Sequence, residues 1–79
     1  MMGPLVKVLY FGAARDISGK ADEVFNAGDT TSLHREILAK YPAMQSVSFR
    51  MALNRNLLRD EAVLAENDVI ALLPPFQGG

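Results

Sequence analysis

The chain has 79 residues, 49% of them hydrophobic and 22% charged, which is typical of one small globular domain and argues against disorder. It contains no cysteine, which excludes disulfides, thiolate metal sites and a cysteine nucleophile and fits a reducing cytoplasm. The net charge is −1, and it is unevenly distributed: all basic residues lie in 1–59, whereas 60–79 contains four acidic residues. This distribution disfavours nucleic-acid binding, and it suits an acidic tail that enters a basic site on a partner protein.

The first part of the chain is predicted to form two strands. Residues 5–11 are rich in β-branched and aromatic residues and predict a central strand. Residues 13–18 predict a helical turn, and residues 22–27 a second strand that pairs with the first. The buried face of the first strand is predicted to carry Val6, Val8 and Tyr10.

The middle of the chain has helical periodicity from Thr31 until Pro42 ends the helix. The apolar face of this helix is predicted to carry Leu33, Ile37, Leu38 and Tyr41. Its N-cap oxygen is predicted to come from Thr30, Thr31 or Ser32, because hydroxyl side chains are favoured at that position.

The C-terminal part predicts three more strands, at residues 47–53, 57–58 and 68–73, with one helical turn at 62–64. The order β, β, α, β, β, β places one main helix on one face of a mixed sheet. The predicted class is therefore α+β, and the order matches the β-grasp, or ubiquitin-like, fold. We expect one domain over residues 1–79 with a flexible tail at 74–79.

The tail is the most informative segment, because Pro74 and Pro75 are followed two residues later by the terminal pair Gly78 and Gly79. Glycine has no Cβ, so such a pair can thread a channel that is too narrow for other residues. The Gly79 carboxylate is the only reactive group that this end offers. Six extended residues reach about 20 Å at ~3.3 Å each, far enough for a docked domain to deliver Gly79 to a buried site.

The last predicted strand adds a possible docking surface next to this tail. Alternation allows Val69, Ala71 and Leu73 to face the core, which would leave Ile70 and Leu72 outside as an exposed apolar strip joined by Phe76. The alternative is that both faces of this strand are buried within the domain.

Other motifs predict no chemistry. His34 is the only histidine, so no multi-histidine metal site is possible, and the glycines form no phosphate-binding pattern. The acidic residues at 60, 61, 66 and 68 fit no calcium loop and are predicted to be solvated. No segment approaches the ~20 apolar residues of a membrane-spanning helix, so we expect a cytoplasmic protein with no bound metal or cofactor.

Three segments of the chain together resemble a known family. Residues 6–16 (VKVLYFGAARD), 51–56 (MALNRN) and 66–79 (ENDVIALLPPFQGG) are similar to the small subunit of molybdopterin synthase. The resemblance implies a β-grasp sulfur carrier whose Gly79 carboxylate is adenylated by an E1-like enzyme that uses ATP, and is then converted to a thiocarboxylate. This group would donate sulfur to the molybdopterin dithiolene in molybdenum cofactor biosynthesis.

The resemblance also implies a partner, the large synthase subunit, which would supply the catalytic side chains in a heterotetramer of two small and two large subunits. The residues expected to contact partners are Ile70, Leu72, Pro74, Pro75, Phe76, Gln77 and Gly78. Arg15, Arg50, Arg55 and Arg59 are possible rim contacts that the sequence does not distinguish.

Three alternatives remain open from the sequence. A thiamine-pathway sulfur carrier shares the fold and the terminal glycines but lacks the spacing of the two prolines. A ubiquitin-like modifier would conjugate Gly79 to lysines of target proteins. A plain β-grasp interaction module would carry the glycines without using them.

Overall fold

The computed structural model describes residues 3–75. The predicted site residues Phe76, Gln77, Gly78 and Gly79 therefore lie outside the described part of the chain. The helices and strands are β1 (Leu5–Tyr10), α1 (Gly12–Ser18), β2 (Asp22–Asn26), α2 (Thr30–Lys40), β3 (Arg50–Leu53), β4 (Asn56–Leu57) and β5 (Val69–Leu73), with a 3₁₀ turn at Pro42–Ser46 between α2 and β3.

The five strands form one mixed sheet in the order β2-β1-β5-β3-β4. The first and last strands are parallel neighbours at its centre, and the other pairings are antiparallel. Helix α2 lies between β2 and β3 in the chain and contributes its buried side chains to the core on one face of the sheet. This arrangement confirms the predicted α+β class and the β-grasp fold.

The core lies between this inner face of the sheet and the helices. Leu33 and Ile37 of α2 are fully buried, and Met44 of the 3₁₀ turn joins them. The predicted inner face of β1 is confirmed, since Val6, Val8 and Tyr10 are buried while the intervening Lys7 is exposed.

The predicted orientation of the last strand is wrong. Ile70 and Leu72 are completely buried, whereas Val69, Ala71 and Leu73 lie on the outer face. The reason is the parallel pairing with β1, which sets Ile70 opposite Val8 and Leu72 opposite Tyr10. Paired residues point to the same face of a sheet, so the buried residues of β1 fix which β5 residues enter the core.

This orientation makes a prediction about stability. Leu72→Ala should lower the free energy of unfolding by about 3 kcal/mol, because it leaves a cavity in a closely packed core. Leu73→Ala should cost less than about 1 kcal/mol, since Leu73 already lies on the half-exposed face. Urea denaturation of both variants measures the difference, and the opposite ranking would contradict the assignment of the two faces.

Three local predictions also need correction. The N-cap of α2 is Asp29, whose Oδ1 accepts a hydrogen bond of 2.7 Å from the Ser32 N–H. Residues 47–49 precede β3 instead of forming part of it, because the 3₁₀ turn extends to Ser46 and directs Met44 into the core. Residues 62–64 form no helical turn. Their backbone instead bonds to the chain around the start of α2, where the Thr30 N–H donates to Ala62 O and the Leu64 N–H donates to Gly28 O.

The carboxylate of Glu23, in β2, lies where this strand meets the C-terminal end of α2. The Glu23 carboxylate accepts hydrogen bonds from the Tyr10 hydroxyl at 2.9 Å, the Tyr41 hydroxyl at 2.7 Å and Lys20 Nζ at 3.1 Å, and also from Lys40 Nζ. Burial raises the pKa of Glu23, but the hydrogen bonds from Lys40, Tyr41 and Tyr10 outweigh it and lower the pKa to about 2. Burial and the neighbouring carboxylate raise the pKa of Tyr10.

The Glu23 cluster should therefore make stability depend on pH. Because the folded pKa of Glu23 lies below its value near 4.3 in an unfolded chain, the stabilisation is complete above pH ~4.5 and is lost as the pH falls towards 2. Glu23→Gln should lower the free energy of unfolding by about 2 kcal/mol at pH 7, and should flatten the acid limb of a plot of Tm against pH. Glu36→Gln, at an exposed position of α2, is the matched control and should leave both unchanged.

Candidate partner-binding site

The outer face of the sheet, which α2 does not cover, carries a shallow apolar groove. Its volume is about 530 Å³, and it is centred on β5 between β1 and β3. The residues that line it are Leu9, Phe11, Ala52, Asn54, Arg55, Val69, Ala71 and Leu73. We call this surface the outer groove.

The pairing of the strands explains why these residues meet. Leu9 and Ala71 are partners across β1 and β5, and Ala71 is also the partner of Ala52 in β3. Three neighbouring strands thus present small or apolar side chains in one row, where a half-exposed sheet commonly carries polar ones. Phe11, 43% exposed, adds an aromatic ring at one end. Such a surface is typical of a protein interaction site.

A hydrogen-bonded turn closes the other end of the outer groove. Asn54, in the β3–β4 turn, donates from Nδ2 to Asp68 Oδ1 at 3.0 Å and accepts from the Val69 N–H through Oδ1 at 2.9 Å. The Asn54 amide, followed by the Ala65 N–H, lowers the pKa of Asp68. These bonds join the turn to the start of β5 and fix the position of its neighbour, Arg55.

The base of the tail packs against the turn that follows β1. Gly12 has φ +57°, and a Cβ built on it would lie 2.9 Å from Cγ of Pro74. The absence of a side chain therefore lets the Pro74 ring lie directly against the Gly12 backbone. Pro74 and Pro75 also line a small cavity of about 150 Å³ together with Phe11. Phe11 thus contributes to both the outer groove and the surroundings of the tail base.

The structure divides the predicted site residues into three groups. Pro74 and Pro75 form the first group. They directly follow Leu73, which lines the outer groove, so the base of the tail adjoins the docking surface as predicted for a tail next to a partner site. Ile70 and Leu72 belong to the core and are not exposed to a partner. The remaining predicted residues, Phe76 to Gly79, lie outside the described range.

The sequence analysis missed seven of the eight outer-groove residues: Leu9, Phe11, Ala52 and Asn54 were assigned to no site, and Val69, Ala71 and Leu73 were predicted to face the core. A signal for the first two was present, because Val6, Val8 and Tyr10 were assigned to the core and strict alternation places Leu9 and Phe11 on the opposite face. Ala52 gives no such signal, since its position follows only from pairing with Ala71.

Across residues 3–75, no three His, Asp or Glu side chains come together as metal ligands. In the same range, no helix is both long enough and apolar enough to cross a bilayer.

Comparison with known sequences extends over nearly the whole chain. The model of the ThiS family matches residues 8–79. The molybdopterin synthase sulfur carrier subunit of Chlamydomonas reinhardtii is 37% identical over 81 residues, covering 94% of this chain and 98% of that protein. The protein of the same name from Arabidopsis thaliana is 33% identical over 79 residues, covering 94% and 82%.

Solved structures with the same fold include a molybdopterin-converting factor complex and a small archaeal modifier protein. In the complex of subunits 1 and 2 of the molybdopterin-converting factor from Helicobacter pylori, the matching chain is 33% identical, with a TM-score of 0.69 and coverage of 95% of this chain and 99% of that one. Small archaeal modifier protein 1 from Methanosarcina acetivorans is 25% identical, with a TM-score of 0.84 and coverage of 100% and 99%.

Proposed function

The chain belongs to the ThiS family, and on this basis we propose that it is the sulfur carrier subunit of a molybdopterin synthase. In this role Gly79 carries sulfur as a C-terminal thiocarboxylate and donates it for the dithiolene of molybdopterin. The observation that carries the proposal is the likeness, over nearly all of the chain, to relatives that bear this name. The proposal includes a cytoplasmic location for this reaction.

The chemistry requires only the terminal carboxylate. An α-carboxylate has a pKa near 3.3–3.7, so it is ionised at neutral pH and can attack the α-phosphate of ATP, releasing pyrophosphate. An E1-like enzyme is proposed to bind the ATP and catalyse this step. Sulfide provided by a sulfur source then attacks the carbonyl carbon of the acyl-adenylate, the bond from that carbon to the AMP oxygen breaks, and AMP leaves, so that one oxygen of the carboxylate is replaced by sulfur.

The outer groove supports a second part of the proposal, which is docking on the large subunit. A partner that covers the groove contacts Leu73 and therefore holds the chain where Pro74 begins the tail. From that point residues 74–79 span at most about 20 Å, which limits how deep in the partner the sulfur can be delivered. Proline fixes φ at two of these six positions, which reduces the conformational entropy lost when the tail is ordered.

Mass spectrometry tests the proposal directly. The full chain is incubated with an adenylating enzyme from the same genome, ATP and a sulfur source, and its intact mass and fragments are measured. We expect a mass change corresponding to replacement of one oxygen by sulfur, located at Gly79. An unchanged mass, in the presence of an enzyme that is active on another carrier, would contradict the proposal.

A second candidate function is protein modification, which the likeness to a small archaeal modifier protein favours. Activation would begin in the same way, but Gly79 would then form isopeptide bonds with lysines of other proteins. A search of cell lysates for peptides that carry the C-terminal residues on a lysine tests this role.

A binding measurement distinguishes the molybdopterin pathway from the thiamine pathway. Only a carrier of the molybdopterin pathway is expected to bind the large synthase subunit.

A further inference from the structure

Arg55 occupies an unusual backbone conformation at the end of the outer groove. The β3–β4 hairpin has a two-residue turn in which Asn54 has φ +48° and Arg55 has φ +75°. Positive φ at both central positions is typical of a type I′ turn, for which the preferred sequence is Asn-Gly. Asn54 agrees with this preference, whereas an arginine replaces the glycine.

Arg55 is thus kept at a position where a glycine would be under less strain. Residues in sparsely populated backbone regions cluster at functional sites, because a local cost is retained where the side chain has a use. The use is not an internal ion pair, since within residues 3–75 no carboxylate lies within salt-bridge distance of Arg55. The residue is exposed and is the only charged one of the eight that line the outer groove.

The surroundings of Arg55 specify the chemistry of what it binds. A planar guanidinium on the rim of an apolar groove pairs best with a carboxylate, which it can bind through two parallel hydrogen bonds. The carboxylate of Asp68, which is the hydrogen-bond partner of the neighbouring Asn54, is already bonded to that side chain and to the Ala65 N–H. The anion must therefore come from whatever covers the groove.

We propose that Arg55 is a partner-recognition residue, which binds an Asp or Glu carboxylate of the large subunit that covers the outer groove. This inference rests on the proposed function. It selects one of four arginines that were equivalent in the sequence. In this arrangement the apolar groove supplies contact area, while the Arg55 ion pair sets the register in which the chain docks and so the direction in which the tail leaves.

Calorimetric titration of the full chain with the purified cognate large subunit, at low and at high salt, tests the proposal. Arg55→Gln keeps the turn and removes the charge, so we expect about 10- to 30-fold weaker binding at low salt and a much smaller dependence on salt. Arg55→Lys should recover the salt dependence and part of the affinity. Arg59→Gln is the matched control, because Arg59 is exposed but lines a different cleft, and its affinity should stay within about twofold of wild type.

A second variant separates recognition from stability. Arg55→Gly should relieve the strain and raise Tm by about 2–6 °C, while binding weakens as much as in Arg55→Gln. Wild-type affinity and salt dependence in both variants would overturn the inference but leave the proposed function intact. Failure of the wild-type chain itself to bind the large subunit would overturn both.

Discussion

Removal of Gly79 is expected to abolish sulfur transfer, with a loss of at least about 10³-fold, while Tm stays within about 1 °C of wild type. The shortened chain still ends in a glycine carboxylate, but that group lies one residue, or ~3.3–3.6 Å, short of its required position. Because a displacement of about 1 Å can cost 10²-fold in rate, a full residue should be decisive. Fluorimetric melting and intact mass after incubation with the adenylating enzyme measure the two effects.

A graded variant controls for the loss of length. Gly79→Ala keeps the carboxylate in register and adds one methyl group, so it should impair activation or transfer less than the deletion and leave folding unchanged. A large fall in Tm in either variant would show that the terminal residue has a structural role. Full pathway activity after deletion of both Gly78 and Gly79 would favour a plain interaction module.

The architecture could be predicted from the sequence because its signals are local. In β1, Lys7 is a polar residue between apolar neighbours, and it marks the outer face unambiguously. In α2 the apolar period and Pro42 define the helix without reference to the rest of the chain. The order of these elements then limits the fold to a few arrangements, of which the β-grasp is one.

The orientation of β5 could not be predicted, and the reason is physical. Residues 69–73 form a continuous apolar run, so neither face has a polar marker, and the orientation is fixed only by parallel pairing with β1. The prediction of a helical turn at 62–64 was wrong for a related reason, because the backbone groups of this segment form hydrogen bonds with residues more than 30 positions away. Pairing between residues that are distant in the chain cannot be inferred from the local spacing of apolar residues.

The candidate site also has one part that the sequence indicates and one part that only the structure reveals. The tail is a prediction from the sequence alone, because the order of two prolines and two glycines is visible without any tertiary context. The outer groove and the choice of Arg55 required the structure, since both depend on which strands are neighbours and on a backbone angle. The two parts also act independently in the proposed function, one in docking and one in chemistry.

This independence allows docking to be impaired while the tail remains intact. Leu73→Asp should raise the Kd for the large subunit at least about 100-fold, because it removes an apolar contact and places a charge against an apolar partner surface. The domain itself should tolerate the change, since Leu73 lies on the outer face opposite Arg50 in β3, where a carboxylate gains an oppositely charged neighbour. Calorimetry with the cognate large subunit gives the Kd, and urea denaturation gives the stability.

Val24→Asp is the matched control for this experiment. Val24 is 57% exposed on the same side of the sheet, but it belongs to β2 and does not line the outer groove. An introduced charge at this position should change the Kd by no more than about twofold, since a solvated surface charge contributes little to binding. If Leu73→Asp bound as tightly as wild type, the large subunit would have to dock elsewhere on the domain. If both variants weakened binding equally, a general effect of negative charge, rather than contact with the groove, would account for the loss.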